Sequence, residues 1–148
     1  MIRVALLAVL VTACGAKEES EDYIRKSKQI EGRVKLKSIG RAAKEHVAEK
    51  GTLPTGSIGP TPAQPCCASP DKKCPVTASD WQQPIWDALF MSLDRPGYFQ
   101  YAYQSDGTSF TATATGDVLC EGKPVTFTIT GKVTNGEVVV DESQLESK

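Results

Sequence analysis

The sequence has few of the residues from which catalytic sites are most often built. His46 is the only histidine among 148 residues, and no two of the five cysteines form a CxxC pair. A catalytic triad would need a nucleophile and a carboxylate arranged around His46, and no motif provides them. The absence of CxxC argues against thiol–disulfide redox catalysis. We therefore expect a protein that is not an enzyme, with His46 at the surface or at the boundary of the core.

The sequence also lacks an excess of either charge and any long apolar run. The chain has 17 basic and 18 acidic residues, for a net charge of −1. This balance argues against a nucleic-acid partner. The longest apolar segment at the start of the chain, Val4 to Val11, is too short to span a bilayer, which needs about 20 residues.

The first fourteen residues have the pattern of a signal peptide that ends in a cysteine. A basic start, Met1-Ile2-Arg3, precedes the apolar segment, and Val11-Thr12-Ala13-Cys14 follows it. This tetrapeptide resembles a bacterial lipobox. The resemblance implies cleavage after residue 13, a diacylglyceryl group and a palmitate on Cys14, and attachment to a membrane of the bacterial envelope, on the periplasmic side or at the cell surface, with the outer membrane favoured. The alternative is an ordinary secretory signal in which the cysteine occurs by chance.

A long amphipathic helix is predicted over 23–50, after an acidic tether at 14–22. Apolar residues recur in this helix at spacings of four and five, which places them on one face. They are Ile30, Val34, Ile39, Ala43 and Val47, widened by Leu36 and Ala42. Lysines and arginines fill the other side. They are expected to be solvated, although the cluster at 25–37 could also contact anionic lipid. Gly51 and Pro54 end the helix.

A long irregular loop, 51–97, is expected to be held by disulfides. It contains eight of the nine prolines and three cysteines. Outside the cytoplasm the four cysteines other than Cys14 should be oxidised. A bond between the adjacent Cys66 and Cys67 would be strained. Two pairings therefore stay open, and each joins one of these residues to Cys74 and the other to Cys120. A short helix is predicted within Trp81 to Leu93, with Pro84 at its first position and both tryptophans as anchors of the core or the loop.

In the last third of the chain apolar and polar residues alternate. This pattern predicts four antiparallel strands in two hairpins, within a sheet at 98–141. The predicted strands are Tyr98–Gln104, Ser109–Thr115, Val125–Thr134 and Glu137–Asp141. Two-residue turns are expected at Asp106-Gly107 and Asn135-Gly136. The first turn predicts that Tyr103 pairs with Phe110 and Tyr101 with Ala112. The fold class is therefore α+β, with the helix on the apolar face of a four-stranded sheet and a flexible tail at 142–148.

Two segments of the helix resemble type IV pilins and type II secretion pseudopilins. They are Ile24-Arg25-Lys26-Ser27-Lys28-Gln29 and the helix exit Ala48-Glu49-Lys50-Gly51-Thr52-Leu53-Pro54. Asp80 to Tyr101 is similar to a loop and first strand of deltaproteobacterial pilin-like proteins. The resemblance implies a pilin-like globular domain over 23–141. The start of the chain departs from this family, because it has neither the prepilin peptidase site nor a membrane-length apolar segment that carries a glutamate.

The segment Gly116-Asp117-Val118-Leu119-Cys120-Glu121-Gly122 resembles the GDxDxDG-like loop of the same proteins. Asp117 and Glu121 are weak candidates for calcium ligands on this basis. Leu119 stands where that loop often has an acid, and a calcium site needs several converging oxygen atoms. A plain turn held by Cys120 is the alternative. No cofactor and no other metal site is expected.

Two classes of function agree with these observations. In the first, the protein is a non-enzymatic, lipid-anchored module that binds protein partners of pilus or secretion machinery, or of another envelope assembly. In the second, it is a small ligand-binding or hydrolytic envelope lipoprotein whose site lies in the 51–97 loop. Converging titratable groups in that loop would favour the second class.

Overall fold

A computed structural model describes residues 15–145 of the chain. Cys14 and the predicted signal peptide lie outside the described residues. The fold is α+β, and its first element is a helix of 36 residues, α1 (Gly15–Lys50). It packs on a five-stranded antiparallel sheet.

α1 begins earlier than predicted, since the acidic segment after Cys14 that was expected to be a tether is helical from Gly15. Two i,i+4 pairs support this first part, Lys17–Glu21 at 4.0 Å and Asp22–Lys26 at 2.8 Å. Glu18 in the first turn also interacts favourably with the positive end of the helix dipole. The acidic composition, which suggested a spacer, suits the start of a helix equally well.

The sheet is a simple meander in which each strand pairs with the next one along the chain. Its strands are β1 (Gly56–Thr61), β2 (Gln100–Ser105), β3 (Ser109–Gly116), β4 (Val125–Thr134) and β5 (Glu137–Asp141). The four predicted strands are present to within two residues at each end. β1 is the fifth strand, and the prediction of four was wrong on this point.

β1 was missed because its sequence, GSIGPT, contains glycine and proline, which are depleted in strands. It lies at the edge of the sheet, where proline is tolerated because one side of the strand needs no hydrogen-bonding partner. The pairing of β1 with β2 is irregular between Ile58 and Thr61, the stretch that includes Pro60. The segment predicted as loop 51–97 therefore contributes an edge strand.

The predicted register of the β2–β3 hairpin is wrong by two residues. Tyr103 pairs with Ala112, and Ser105 pairs with Phe110. The reason is a four-residue connection, in which the Asp106 carboxylate accepts hydrogen bonds from the backbone N–H groups of Thr108 and Ser109. A shift of two residues leaves every side chain on its predicted face. The register itself gives no support to the pilin resemblance.

The β4–β5 hairpin has the predicted two-residue turn. Thr134 pairs with Glu137, and both Asn135 and Gly136 have positive φ angles, 54° and 81°. These angles are typical of a type I′ turn.

α1 packs on the apolar face of the sheet through its small and aliphatic residues. Gly32 lies against the ring of Phe99, and Gly40 lies beside Ile129 and Val140. The buried face of the helix is lined by Gln29, Gly32, Leu36, Ile39, Gly40, Ala42, Ala43 and Val47. Ile39, Ala43 and Val47 lie in the core as predicted, whereas Ile30 and Val34 do not.

Two short helices, α2 (Ala78–Trp81) and α3 (Pro84–Ala88), replace the single helix predicted in the long loop. Pro84 occupies the start of α3, as expected. Trp81 and Trp86 are both buried, and the Trp86 indole N–H donates to the Thr61 hydroxyl at 3.0 Å. The two tryptophans thus join the long loop to the core.

The described part of the predicted flexible tail, residues 142–145, includes regular structure. Ser143–Leu145 forms a 3₁₀ turn, and Leu145 is buried in the core. One apolar residue in a polar segment is enough to attach this turn to the domain.

Candidate functional site

The most distinctive surface is an apolar stripe on α1 that we call the α1 stripe: Tyr23, Ile30 and Val34. Their side chains are 76%, 54% and 54% exposed. On a helix with 3.6 residues per turn, positions 23, 30 and 34 lie on one face. This face is opposite to the one that Gly32, Leu36 and Ile39 bury against the sheet. The stripe therefore points away from the sheet on which the helix packs.

The exposure of Ile30 and Val34 corrects the predicted buried face. Both were assigned to the core because they are apolar and lie four residues apart. The helix instead buries a face that includes Gln29, Gly32 and Gly40, where small residues allow the helix to approach the sheet closely. The two glycines were a usable signal, since they mark a close-packed face in an otherwise regular helix.

The first part of α1 extends beyond the packed part of the domain. None of residues 17–24 is buried, and Ile24 adds a partly exposed apolar side chain, 41% accessible, beside the stripe. Further along the helix, the Arg25 guanidinium contacts the Glu121 carboxylate at 2.9 Å, and the Lys28 ammonium donates to the carbonyl of Val118 at 3.0 Å. These two contacts join the helix to the turn after β3.

A groove of about 720 Å³ runs beside the stripe, between α1 and the segment 93–98. Ile30 and Val34 form part of its helix side, and Leu93, Pro96 and Tyr98 contribute apolar surface from the loop. The charged residues around it are four bases and two acids: Lys28, Lys35, Lys73, Arg95, Glu31 and Asp94. The lining of the groove thus mixes apolar and charged side chains, with an excess of bases.

Glu31 holds the floor of this groove in place. Its carboxylate accepts hydrogen bonds from the backbone N–H of Tyr98 at 3.0 Å and from the Tyr101 hydroxyl at 3.4 Å. Burial raises the pKa of the Glu31 carboxyl above its ordinary value of 4.5, while the hydrogen bond from Tyr98 opposes the rise. Its partners are structural groups of the same domain, so the arrangement is a helix-to-sheet clamp.

The four cysteines predicted to be oxidised form two disulfides. Cys66 is bonded to Cys74, and Cys67 is bonded to Cys120. This is one of the two pairings that the sequence left open. The second bond ties the long loop to the turn after β3, the same turn that contacts Arg25 and Lys28. The Cys67–Cys120 bond therefore links the long loop to the turn that contacts the side of α1 away from the stripe.

The weak calcium candidates have other partners. One oxygen of the Asp117 carboxylate accepts hydrogen bonds from the backbone N–H groups of Gly122 and Lys123, at 2.6 and 3.1 Å. Glu121 pairs with Arg25. Across residues 15–145, no group of three or more histidine, cysteine or acidic side chains could hold a metal ion. Asp117 thus acts as the polar centre of the turn that Cys120 closes.

His46 lies at the far end of α1 from the stripe. Its Nδ1 donates to the carbonyl of Thr52 at 2.8 Å, which fixes the chain where it leaves the helix. This position agrees with the predicted role at the boundary of the core.

A second apolar surface lies on the long loop, around Phe90. The Phe90 side chain is 76% exposed, and its backbone has a positive φ of 50°, which is unusual for a bulky residue. It borders a groove of about 450 Å³ whose walls include Trp81, Trp86 and Val76. The titratable residue in this lining is Asp87 alone, so the groove has no set of converging acid and base groups.

The chain was compared with models of protein families, with characterised proteins and with solved structures, and no significant match was found. Among the helices in the part of the chain that the structure describes, none has the length and apolarity required to cross a bilayer.

Proposed function

We propose that this chain is a lipid-anchored protein of the bacterial cell envelope, whose pilin-like domain binds protein through α1 without catalysing a reaction. The observation that carries the proposal is the α1 stripe. Three apolar side chains lie in line on a helix that projects from its own domain, on the side that the sheet leaves uncovered. Such a line of helical anchors is a recurrent mode of protein recognition.

The sequence and the disulfides support the location. The resemblance of Val11-Thr12-Ala13-Cys14 to a lipobox implies a lipid on the residue before the first described residue of α1. The two disulfides agree with an oxidising compartment, such as the periplasm or the cell surface. A lipid on Cys14 would hold the stripe close to the membrane, where envelope assemblies are built.

The pilin-like assignment is supported by the arrangement of a long N-terminal helix on one face of an antiparallel sheet, together with the segments 24–29 and 48–54. Machinery of the pilus or type II secretion kind is the partner class that this resemblance implies. Another envelope assembly would use the same stripe.

Two measurements on producing cells test the proposal. Cys14→Ser should abolish metabolic labelling with fatty acid and release the protein from the membrane fraction. The double variant Cys67→Ala/Cys120→Ala, which leaves Cys14 intact, should keep the fatty-acid label and stay in the membrane fraction. Val34→Gln should remove the complexes that crosslinking and mass spectrometry detect around the wild-type protein, whereas Val139→Gln should not. Unchanged labelling of Cys14→Ser, or unchanged complexes with Val34→Gln, would contradict the proposal.

A further inference from the structure

We propose that the partner of the α1 stripe is a second copy of this chain, docked antiparallel along α1. The proposal rests on the proposed function in one respect, that the stripe is a protein interface, and it names the occupant. The order of charges along the helix favours this occupant.

α1 has opposite charges at the two ends of the stripe. Residues 17–22 contain four acids and one base, Glu18, Glu19, Glu21, Asp22 and Lys17. Residues 33–41 contain four bases and no acid, Arg33, Lys35, Lys37 and Arg41. Arg33 also lies over the Phe127 ring at 4.8 Å, and Lys35 donates to the carbonyl of Ser92 at 3.0 Å. Tyr23, Ile30 and Val34 lie between these two segments or at their borders. A helix that covers the stripe with matching charges must place bases beside 17–22 and acids beside 33–41.

A second copy of α1 meets this requirement only when it runs in the opposite direction. In that arrangement Tyr23 of each copy packs against Val34 of the other, and Ile30 packs against Ser27. Glu19 and Lys37 lie on the same flank of the stripe, so each Glu19 meets the Lys37 of the second copy. A parallel pair would place the acidic segments side by side and the basic segments side by side, which is unfavourable.

The shape of the domain permits this contact. The stripe is on the face of α1 opposite to the buried one, so each sheet lies on the outer side of its helix and does not obstruct the other copy. The interface would be isologous, since the same residues contribute from both chains. Because the two Gly15 ends point in opposite directions, a dimer held by lipid at both ends would lie along the membrane.

Lys37 already has a contact within its own chain, with the Glu142 carboxylate at 3.4 Å. Both side chains of this pair are about half exposed, so the pair contributes little and can exchange partners.

Crosslinking distinguishes the antiparallel dimer from the other arrangements. Full-length chains carrying Cys14→Ser, with either Tyr23→Cys or Val34→Cys, are purified separately and treated with a short bis-maleimide linker, alone and after mixing. In the antiparallel pair, two copies of position 23 are about 16 Å apart along the helix axis, whereas positions 23 and 34 are adjacent. We expect a covalent dimer in the mixture and none in either protein alone. Dimers within each single variant, or no dimer at all, would overturn the proposal.

Sedimentation velocity provides the second test, with charge exchange as its control. Glu19→Lys or Lys37→Glu alone should weaken the dimer about tenfold, and the double variant should restore it, because the exchange regenerates both pairs. Val34→Gln should give a monomer, and Val139→Gln on the opposite side of the domain should not. Circular dichroism checks that the helix is intact in each variant.

The two proposals can fail separately. A chain that remains monomeric at all concentrations, but whose stripe crosslinks to a different protein in membranes, would overturn the second copy as occupant and leave the proposed function standing. A wild-type chain that dimerises through the stripe but takes up no lipid on Cys14 in producing cells would support the dimer and contradict the anchor.

Discussion

The backbone N–H of Tyr98 donates a hydrogen bond to the carboxylate of Glu31, 3.0 Å away, and so joins the middle of α1 to the segment that leads into β2. The same carboxylate accepts from the hydroxyl of Tyr101, which is buried in the core. This clamp fixes the helix at the point where its packed part meets the α1 stripe. The position of the stripe relative to the sheet therefore depends on Glu31.

Replacement of Glu31 tests the clamp. Glu31→Ala should lower the free energy of unfolding by about 1–3 kcal/mol, because the Tyr98 N–H and the Tyr101 hydroxyl lose their acceptor. Glu31→Gln retains a carbonyl oxygen for both donors, so it should not show this loss. Urea unfolding measures the free energy of unfolding of both variants. Equal losses for the two variants would show that the charge, rather than the acceptor, holds the helix.

The pH dependence of this group follows from its raised pKa. The folded protein binds the proton of Glu31 at a higher pH than the unfolded chain, whose pKa is near the ordinary 4.5. Stability from this group therefore rises as pH falls through the folded pKa toward 4.5. Glu31→Gln should lose this rise, so the two proteins should converge in stability as pH approaches 4.5. A difference that is independent of pH would contradict the assignment.

The two helical glycines should respond in opposite ways to alanine. At Gly32 an added Cβ would lie 3.0 Å from the ring of Phe99, so Gly32→Ala should destabilise by about 1–2 kcal/mol. At Gly40 the nearest atoms, on Ile129 and Val140, are at 3.4 Å, which is ordinary contact. Gly40→Ala should stabilise by up to about 1 kcal/mol, since alanine is the better helix former. The unfolding temperatures of the two variants measure these effects. A stabilised Gly32→Ala and a destabilised Gly40→Ala would show that the helix lies further from β2 than described.

The two disulfides should differ in their effects on stability. Cys67–Cys120 closes a separation of 53 residues and Cys66–Cys74 one of 8. In the chain-entropy model these two disulfides stabilise the fold by about 4 and about 2.5 kcal/mol, respectively. Cys67→Ala/Cys120→Ala should therefore lower the unfolding midpoint in denaturant more than Cys66→Ala/Cys74→Ala. Non-reducing peptide mapping of the wild type should return the same two bonds, and any other pairing would contradict the described loop.

Asp106 should make the β2–β3 turn sensitive to acid. Hydrogen bonds from the N–H groups of Ser109 and Thr108 lower the pKa of its carboxyl below the ordinary 3.8. The stabilisation is complete above pH 3.8 and is lost as pH falls through the folded pKa. Asp106→Ala should therefore be less stable than wild type at neutral pH, and the difference should shrink in acid. Asp71→Ala, at an exposed position on the long loop, is the control for the loss of one acidic side chain.

The helix and the later strands were predictable because their patterns are long and regular. β4 alternates over ten residues, and Asn135-Gly136 specifies its turn. The register of β2–β3 was not predictable from Asp106-Gly107 alone, because the hydrogen bonds that the Asp106 carboxylate accepts from Thr108 and Ser109 favour a longer connection. β1 has no strand pattern, and its pairing with β2 is a tertiary effect on a glycine- and proline-containing segment.

The candidate site was predicted less well than the fold. The sequence indicated the amphipathic helix but assigned Ile30 and Val34 to the core, because apolar residues at helical spacing usually lie there. Packing reversed this assignment: Gly32 and Gly40 allow the closest approach to the sheet, so the helix turns that face inward and leaves the apolar pair outside. The charge order along α1 was visible in the sequence, but its meaning depends on knowing that the stripe between the two segments is exposed.

Site-specific photo-crosslinking shows whether the α1 stripe binds protein at the membrane. A photoreactive amino acid is placed at position 30, or at position 139 as an equally accessible control, in producing cells. We predict that position 30 gives discrete crosslinks to protein in the membrane fraction, that Cys14→Ser removes them from that fraction, and that position 139 gives none of them. The same crosslinks from both positions, or crosslinks from position 30 to lipid alone, would contradict the account.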